Sequence, residues 1–189
     1  MGSRSRTGVA AILAGALIFA GQGGQLVFRD AISDAVYASF GAAGFVALAI
    51  AIWGLRDLLA GTRAGRIGMR LALLGVAFLG LFAVHVFVEL IRTGEIPGNF
   101  IFFLIGFLLI LVGQLLFARD LRPALGRGWV FPIVAVAGLV MALFLDAVGL
   151  HDIGLFVFEG AWVTLGVTLV RGSRVERPTT AATPADLSV

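Results

Sequence analysis

Six apolar runs, each close to the roughly 20 residues that a helix needs to cross a bilayer, constrain this chain more than any other feature. They cover residues 8–28, 35–55, 68–91, 99–118, 129–150 and 153–170. Only 13% of the residues are charged and the mean hydropathy is +1.05, whereas a soluble domain carries about 25% charged residues. We therefore predict an all-α, polytopic membrane protein with six transmembrane helices.

The arginines predict the orientation of these helices. Twelve of the 14 basic residues lie before helix 1, between helices 2 and 3, between helices 4 and 5, or after helix 6. Only Arg29 and Arg92 lie in the other connections. Because loops rich in arginine stay on the cytoplasmic side, both termini are expected in the cytoplasm and the bundle in the cell (inner) membrane. The same clustering between apolar runs argues against a nucleic-acid partner, and the expected surroundings are the lipid bilayer.

The chain divides into a short start, a bundle and a tail. Residues 1–7 are expected to be a cytoplasmic N-terminus, 8–171 a six-helix bundle, and 172–189, rich in Pro, Thr and Ala, a flexible cytoplasmic tail. Helices 2 and 4 both end in Arg-Asp followed by Gly-Arg, as "WGLRDLLAGTRAGR" and "LFARDLRPALGR". With the regular pairing of helices, this pattern predicts three hairpin repeats at about 8–66, 67–127 and 128–171.

Small residues at four-residue spacing are a second feature of the helices. Ala43, Ala47 and Ala51 form one such stripe on helix 2, and Gly160 and Thr164 form a shorter one on helix 6. Small residues let helix backbones approach each other in lipid, so the stripes predict a compact bundle, a homo-oligomer or a larger membrane-protein partner.

Several kinds of chemistry are excluded by composition. The chain has no cysteine and no lysine, so disulfides, thiol chemistry and a Schiff base cannot form. The chain contains no His-Glu-x-x-His, no Gly-x-Ser-x-Gly and no phosphate-binding Gly-Lys-Ser/Thr loop. A non-enzymatic role is therefore the expectation, with no catalytic residues assigned.

Polar side chains in the apolar runs form the candidate site. Ionisable groups inside a span are costly and need a partner or a role. Six helices of alternating direction would place several of them at one level, in the outer half of the bundle. We predict an outward-facing polar pocket lined by His85, Glu89, Asp146, His151, Glu159, Gln22 and Gln25.

Four interpretations of this pocket remain open. Its groups could hydrogen-bond one another and hold helices together, or bind a proton or cation, since a histidine beside carboxylates titrates near neutral pH. A divalent metal held by His85 and Glu89 is a third reading, and b-type haem between His85 and His151 a fourth. No cofactor is the expectation, with metal and haem as the alternatives.

Two family resemblances accompany these features. The passages "LLGVAFLGLFAVHVFVEL", "FFLIGFLLILVGQLLFARDLR", "AVAGLVMALFLDAVGL" and "GLFVFEGAWVTLGVTLVRG" resemble the HdeD-like acid-resistance membrane proteins, over most of residues 8–171. This resemblance implies a role in envelope stress or acid tolerance. It supplies no catalytic residues.

Residues 67–171 also resemble the small four-helix membrane subunit of tripartite tricarboxylate transporters, through "EIPGNFIFF" and "AVGLHDIGLF". This sequence departs from that pattern in having an extra hairpin at the front and a short loop between helices 4 and 5. The second resemblance implies a subunit of a solute transporter that works with a larger partner.

Overall fold

The computed structural model describes residues 3–27, 31–59, 61–94, 101–146 and 150–175. All regular elements in these ranges are helical. The α-helices are α1 (Ser3–Val27), α2 (Ala31–Gly54), α3 (Arg63–Thr93), α4 (Ile101–Leu125), α5 (Val130–Asp146) and α6 (His151–Val175). Short 3-10 turns follow α2, at Leu55–Leu58, and α4, at Gly126–Trp129. The prediction of an all-α protein is confirmed for the described part of the chain.

Each predicted apolar run corresponds to one of these α-helices, and several helices extend further into polar sequence. Within the described ranges, five helical stretches are long and apolar enough to cross a membrane. One of the five runs through α4, the 3-10 turn and α5 and is 45 residues long. The chain therefore has the make-up of a multi-pass membrane protein, while six separate spans stay a prediction.

The outer surface of the helices is apolar. Large side chains such as Phe144, Val46 and Ile91 are 78%, 63% and 63% exposed. Soluble monomers rarely expose apolar patches of more than a few hundred Å². A surface of this kind is suited to lipid.

The helix contacts close into a ring in chain order. Each helix packs against its neighbours in sequence, and α6 packs against α1. Side chains from α2, α4 and α6 fill the interior and are almost fully buried, among them Leu48, Ile52, Phe107, Phe117, Trp162 and Leu165. We call the end of the bundle where α1, α3 and α5 begin the arginine-rich end.

A glycine contact recurs in the three hairpins α1–α2, α3–α4 and α5–α6. In each, a glycine of the second helix lies against the carbonyl oxygen of one residue of the first helix and against the residue four positions later. The sets are Gly44 with Ala14 and Ile18, Gly106 with Gly75 and Leu79, and Gly154 with Gly138 and Ala142. A Cβ atom on these glycines would collide with the facing helix, so the backbones touch only because the side chain is absent.

The small-residue stripes fit this packing only in part. Ala47 and Ala51 are buried in the core, but Ala43 is exposed. Gly160 and Thr164 are exposed, and a Cβ on Gly160 would meet no atom within 4 Å. The short stripe of α6 therefore faces outward and makes no helix contact within the described bundle.

Two aspartates join the ends of hairpins at the arginine-rich end. Asp57, after α2, accepts a hydrogen bond of 3.1 Å from the hydroxyl of Ser3, where α1 begins. Asp120, in the last turns of α4, accepts bonds of 2.7 Å and 3.2 Å from the hydroxyl and N–H of Thr62. Thr62 in turn caps α3 by accepting from the N–H of Gly65. In both hairpins the end of the second helix is thus tied to the start of the first.

We expect Gly75→Leu to destabilise the protein by about 1–3 kcal/mol or more, because the added side chain forces α3 away from the backbone of α4. The matched control is Gly80→Leu on the same helix, where a Cβ meets nothing within 4 Å. Unfolding of the purified protein in detergent, followed by circular dichroism, measures both. Equal stability of the two variants would contradict the close-contact interpretation.

Candidate functional site

Among the described side chains, Glu159 is the most completely buried ionisable group. It lies on α6 and is 1% exposed, and neither oxygen of its carboxyl group has a hydrogen-bond partner among the described residues. Burying a polar group without a partner costs a few kcal/mol, and burying a charge without one costs more. The buried carboxyl of Glu159 is therefore unfavourable for folding, which makes Glu159 a candidate functional residue.

The α1–α6 contact places Glu159 in the interior. Gly8 and Gly166 face each other across this contact, and a Cβ on Gly15 would lie 2.6 Å from the carbonyl oxygen of Glu159. Gly8 and Gly15 are seven residues apart, as are Glu159 and Gly166, which is the spacing of an antiparallel pair of helices in steady contact. Two turns further on, the same register brings Gln22 level with Asp152.

Trp162, Gln114 and Gln22 also bury polar atoms that have no hydrogen-bond partner in the described part of the chain. Trp162, one turn from Glu159 on α6, is 1% exposed and its Nε1 has no acceptor. Gln114, on α4, is fully buried, and neither atom of its amide is bonded. The Oε1 of Gln22 is also buried and unbonded. Buried polar atoms of this kind are few in native proteins, so their number in the described part of this bundle is unusual.

His85 and Glu89 lie on α3, near the end opposite the arginines, and are half-buried. The carboxylate of Glu89 accepts a bond of 3.4 Å from the guanidinium of Arg92, one turn later. Helix α3 packs against α2 and α4, whereas α6 packs against α1 and α5. The structure therefore places His85 and Glu89 on a different helix contact from that of Glu159.

The remaining predicted pocket residues lie outside the described side chains. Gln25, Asp146 and His151 belong to the helices by their backbones, but their side chains are not part of the description. Among the side chains that are described, no group of three or more His, Asp or Glu could hold a metal ion. The pocket as a whole, and the metal and haem alternatives, stay predictions.

From the sequence, the arginine clusters predicted only the topology of the helices. In the structure, the arginine-rich end also contains specific polar contacts. Arg4 is half-buried, and its Nη2 donates a bond of 2.7 Å to the carbonyl oxygen of Ala124 at the end of α4. The side chain of Asp120, in the last turns of α4, is buried against the start of α3. The Arg-Asp pair at the end of α4 was visible in the sequence, but its spatial partner, Thr62, lies 58 residues away.

Fold and site together define a multi-pass helical membrane protein with protonatable and amide groups enclosed between its helices. Comparison with protein-family models, curated proteins and solved structures found no match. Both resemblances, to the HdeD-like proteins and to the transporter subunit, therefore stay predictions.

We expect Gln114→Leu to stabilise the protein by about 1–3 kcal/mol, because leucine fills a similar volume and removes an amide that has no partner. Gln114→Asn is the control, since it keeps the amide, shortens the side chain and should lower stability. Detergent unfolding curves of both variants give the measurement. A less stable Gln114→Leu would mean that the amide makes a bond important to the fold.

Proposed function

We propose that this chain is a non-enzymatic inner-membrane protein of six spans, built from three related hairpins, that responds to a change of pH at the cell envelope, as acid tolerance requires, by losing or regaining the proton on Glu159. The observation that carries the proposal is the carboxyl of Glu159, enclosed by helices and without a hydrogen-bond partner in the described residues. The resemblance to the HdeD-like acid-resistance proteins points to the same role.

Helix length supports six spans. A straight 45-residue helix would be about 68 Å long at 1.5 Å per residue, more than twice the roughly 30 Å hydrocarbon core. The stretch is interrupted by Gly126, whose φ of +52° lies in the left-handed region that ends helices. On either side α4 has 25 residues and α5 has 17, lengths close to one crossing each.

Contacts within the hairpins support the repeat. In the first helix of each hairpin, the carbonyl oxygen that lies against the glycine belongs to Ala14, Gly75 or Gly138. These three residues are spaced about 61 to 63 residues apart. The aspartate contacts of the first two hairpins add a second shared feature. Three related hairpins explain why the ring closes in chain order.

We expect reporter fusions at both termini to lie on the cytoplasmic face, because twelve of the 14 arginines lie in the sequence before helix 1, between helices 2 and 3, between helices 4 and 5, or after helix 6. A fluorescent protein that folds only in the cytoplasm should be bright at either terminus, and a phosphatase active only outside should be silent. Opposite results at the two termini would mean an odd number of spans.

A proton on Glu159 would change how α6 packs. The neutral carboxyl can donate one hydrogen bond, whereas the ionised form needs donors, and the described interior offers few. Because Gly15 lies directly against the backbone of Glu159, a shift of this side chain would be passed to α1. Release or uptake of the proton on Glu159 would in this way move the α1–α6 contact.

We expect Glu159→Gln to fold normally and to abolish the acid response, because glutamine has the same shape and cannot exchange a proton. Survival of a deletion strain after acid shock, complemented with each variant at equal protein levels, is the measurement. Glu89→Gln is the control, since Glu89 is half-buried and paired with Arg92. Full rescue by Glu159→Gln would overturn the proposal.

An infrared titration tests the same proton directly. The wild-type protein in lipid should show a carboxylic-acid carbonyl band that changes with pH and is missing from Glu159→Gln, while Glu89→Gln retains it. A band that persists in Glu159→Gln would assign the proton to another group.

A second candidate is a small subunit of a solute transporter, and the outward face of α6 favours it. The hydroxyl of Thr164 donates to the carbonyl oxygen of Gly160, so this face presents small groups with their hydrogen bonds satisfied. Such a face suits a helix of a larger membrane partner. Co-purification of a permease subunit with the wild type, lost in Gly160→Leu, would favour this candidate.

A further inference from the structure

A groove of about 360 Å³ lies at the arginine-rich end, between the start of α1 and the end of α2. Its polar wall carries Ser3, Arg6, Arg56 and Asp57, and its apolar wall carries Ile50 and Trp53. The two helices meet tightly at its base, where a Cβ on Gly54 would collide with the side chain of Thr7. The groove is separate from the buried groups around Glu159.

The charges in this groove leave a positive excess. The two oxygens of Asp57 are engaged, one by the Nε of Arg56 at 3.2 Å and the other by the hydroxyl of Ser3. Arg6 is exposed and has no ion pair or hydrogen bond in the described structure. Arg56 uses its Nε for Asp57, so its terminal nitrogens remain free to bind an anion.

An aromatic ring holds the second arginine in place. The guanidinium of Arg56 lies over the ring of Trp53, 4.6 Å from its centroid. This cation–π contact favours a position of the guanidinium at the edge of the groove. An arginine held in this way is well prepared to donate two parallel hydrogen bonds to a phosphate.

The apolar wall distinguishes a lipid from a soluble anion. Ile50 and Trp53 are 57% and 53% exposed and belong to an apolar helical stretch that is long enough to span a membrane. The groove therefore continues from a cationic end onto an exposed apolar surface of α2. A free phosphate ion would use only its polar half.

We propose that this groove binds one anionic phospholipid, with the phosphate held by Arg6 and Arg56 and the first part of an acyl chain lying on Ile50 and Trp53. The site does not depend on the function proposed for Glu159. Arginines near the membrane surface contribute about 1 kcal/mol each to anionic lipid binding, which corresponds to about five-fold in affinity.

Native mass spectrometry of the full chain in detergent tests the proposal, with phosphatidylglycerol and phosphatidylcholine as the added lipids. The wild type should retain phosphatidylglycerol in preference to phosphatidylcholine. Arg6→Gln and Arg56→Gln should each weaken phosphatidylglycerol retention about five-fold, and should weaken phosphatidylcholine retention less, because its phosphate is neutralised by its own choline. Because Arg6 is exposed and makes no hydrogen bond or ion pair in the described structure, Arg6→Gln keeps the test valid even if Arg56→Gln fails to fold.

Arg63→Gln is the matched control, since Arg63 is exposed at the same end and does not line the groove. It should bind phosphatidylglycerol as the wild type does. Equal losses in Arg63→Gln and Arg6→Gln would show general charge attraction and overturn the proposal. Displacement of the lipid by inorganic phosphate at millimolar concentration would also overturn it, since the occupant would then be a free anion.

Discussion

Contact between helix backbones at glycine is the interaction on which this fold depends. Lipid tails are as apolar as leucine, so burying leucine between helices gains little, and close packing must supply the attraction. Each hairpin uses at least one glycine of its second helix to approach the first, and the α1–α6 contact uses Gly8, Gly15 and Gly166. With α6 held against α1 in this way, the ring is closed and the side chains of α2, α4 and α6 fill its interior.

The helices could be predicted from hydropathy and length alone, because a segment in lipid must satisfy its own backbone hydrogen bonds. The pairing of helices was harder to predict. The four-residue spacing predicted a helix contact at Gly160 and Thr164, but these residues face outward. The glycines that do contact a facing helix are spaced by seven residues on α1 and α3. Spacing by seven is equally compatible with a helix, but it indicates a contact only when a partner glycine is known on the facing helix.

The candidate site could likewise be predicted from the sequence only in part. Burial of Glu159 was not evident from sequence, since its neighbours in the chain are no more apolar than those of Glu89. The difference lies in the third dimension: Glu89 reaches Arg92 one turn away, while Glu159 is enclosed by α1 and the rest of the bundle. Gln114 is a lone polar residue in an apolar run, and its full burial follows only from the packing of α4. Trp162 could not be predicted as a site residue, because a tryptophan in an apolar run is common. Only its Nε1, buried without an acceptor in the described structure, distinguishes it.

The contacts at the arginine-rich end also differ in how much of the chain they require. The bonds from Ser3 to Asp57 and from Thr62 to Asp120 each lie within one hairpin, so each can form as soon as that hairpin has left the ribosome. The bond from Arg4 to Ala124 joins the first helix to the end of the fourth. This bond cannot form until Ala124, 120 residues after Arg4, has been synthesised. Its formation therefore requires that the second hairpin has been inserted beside the first.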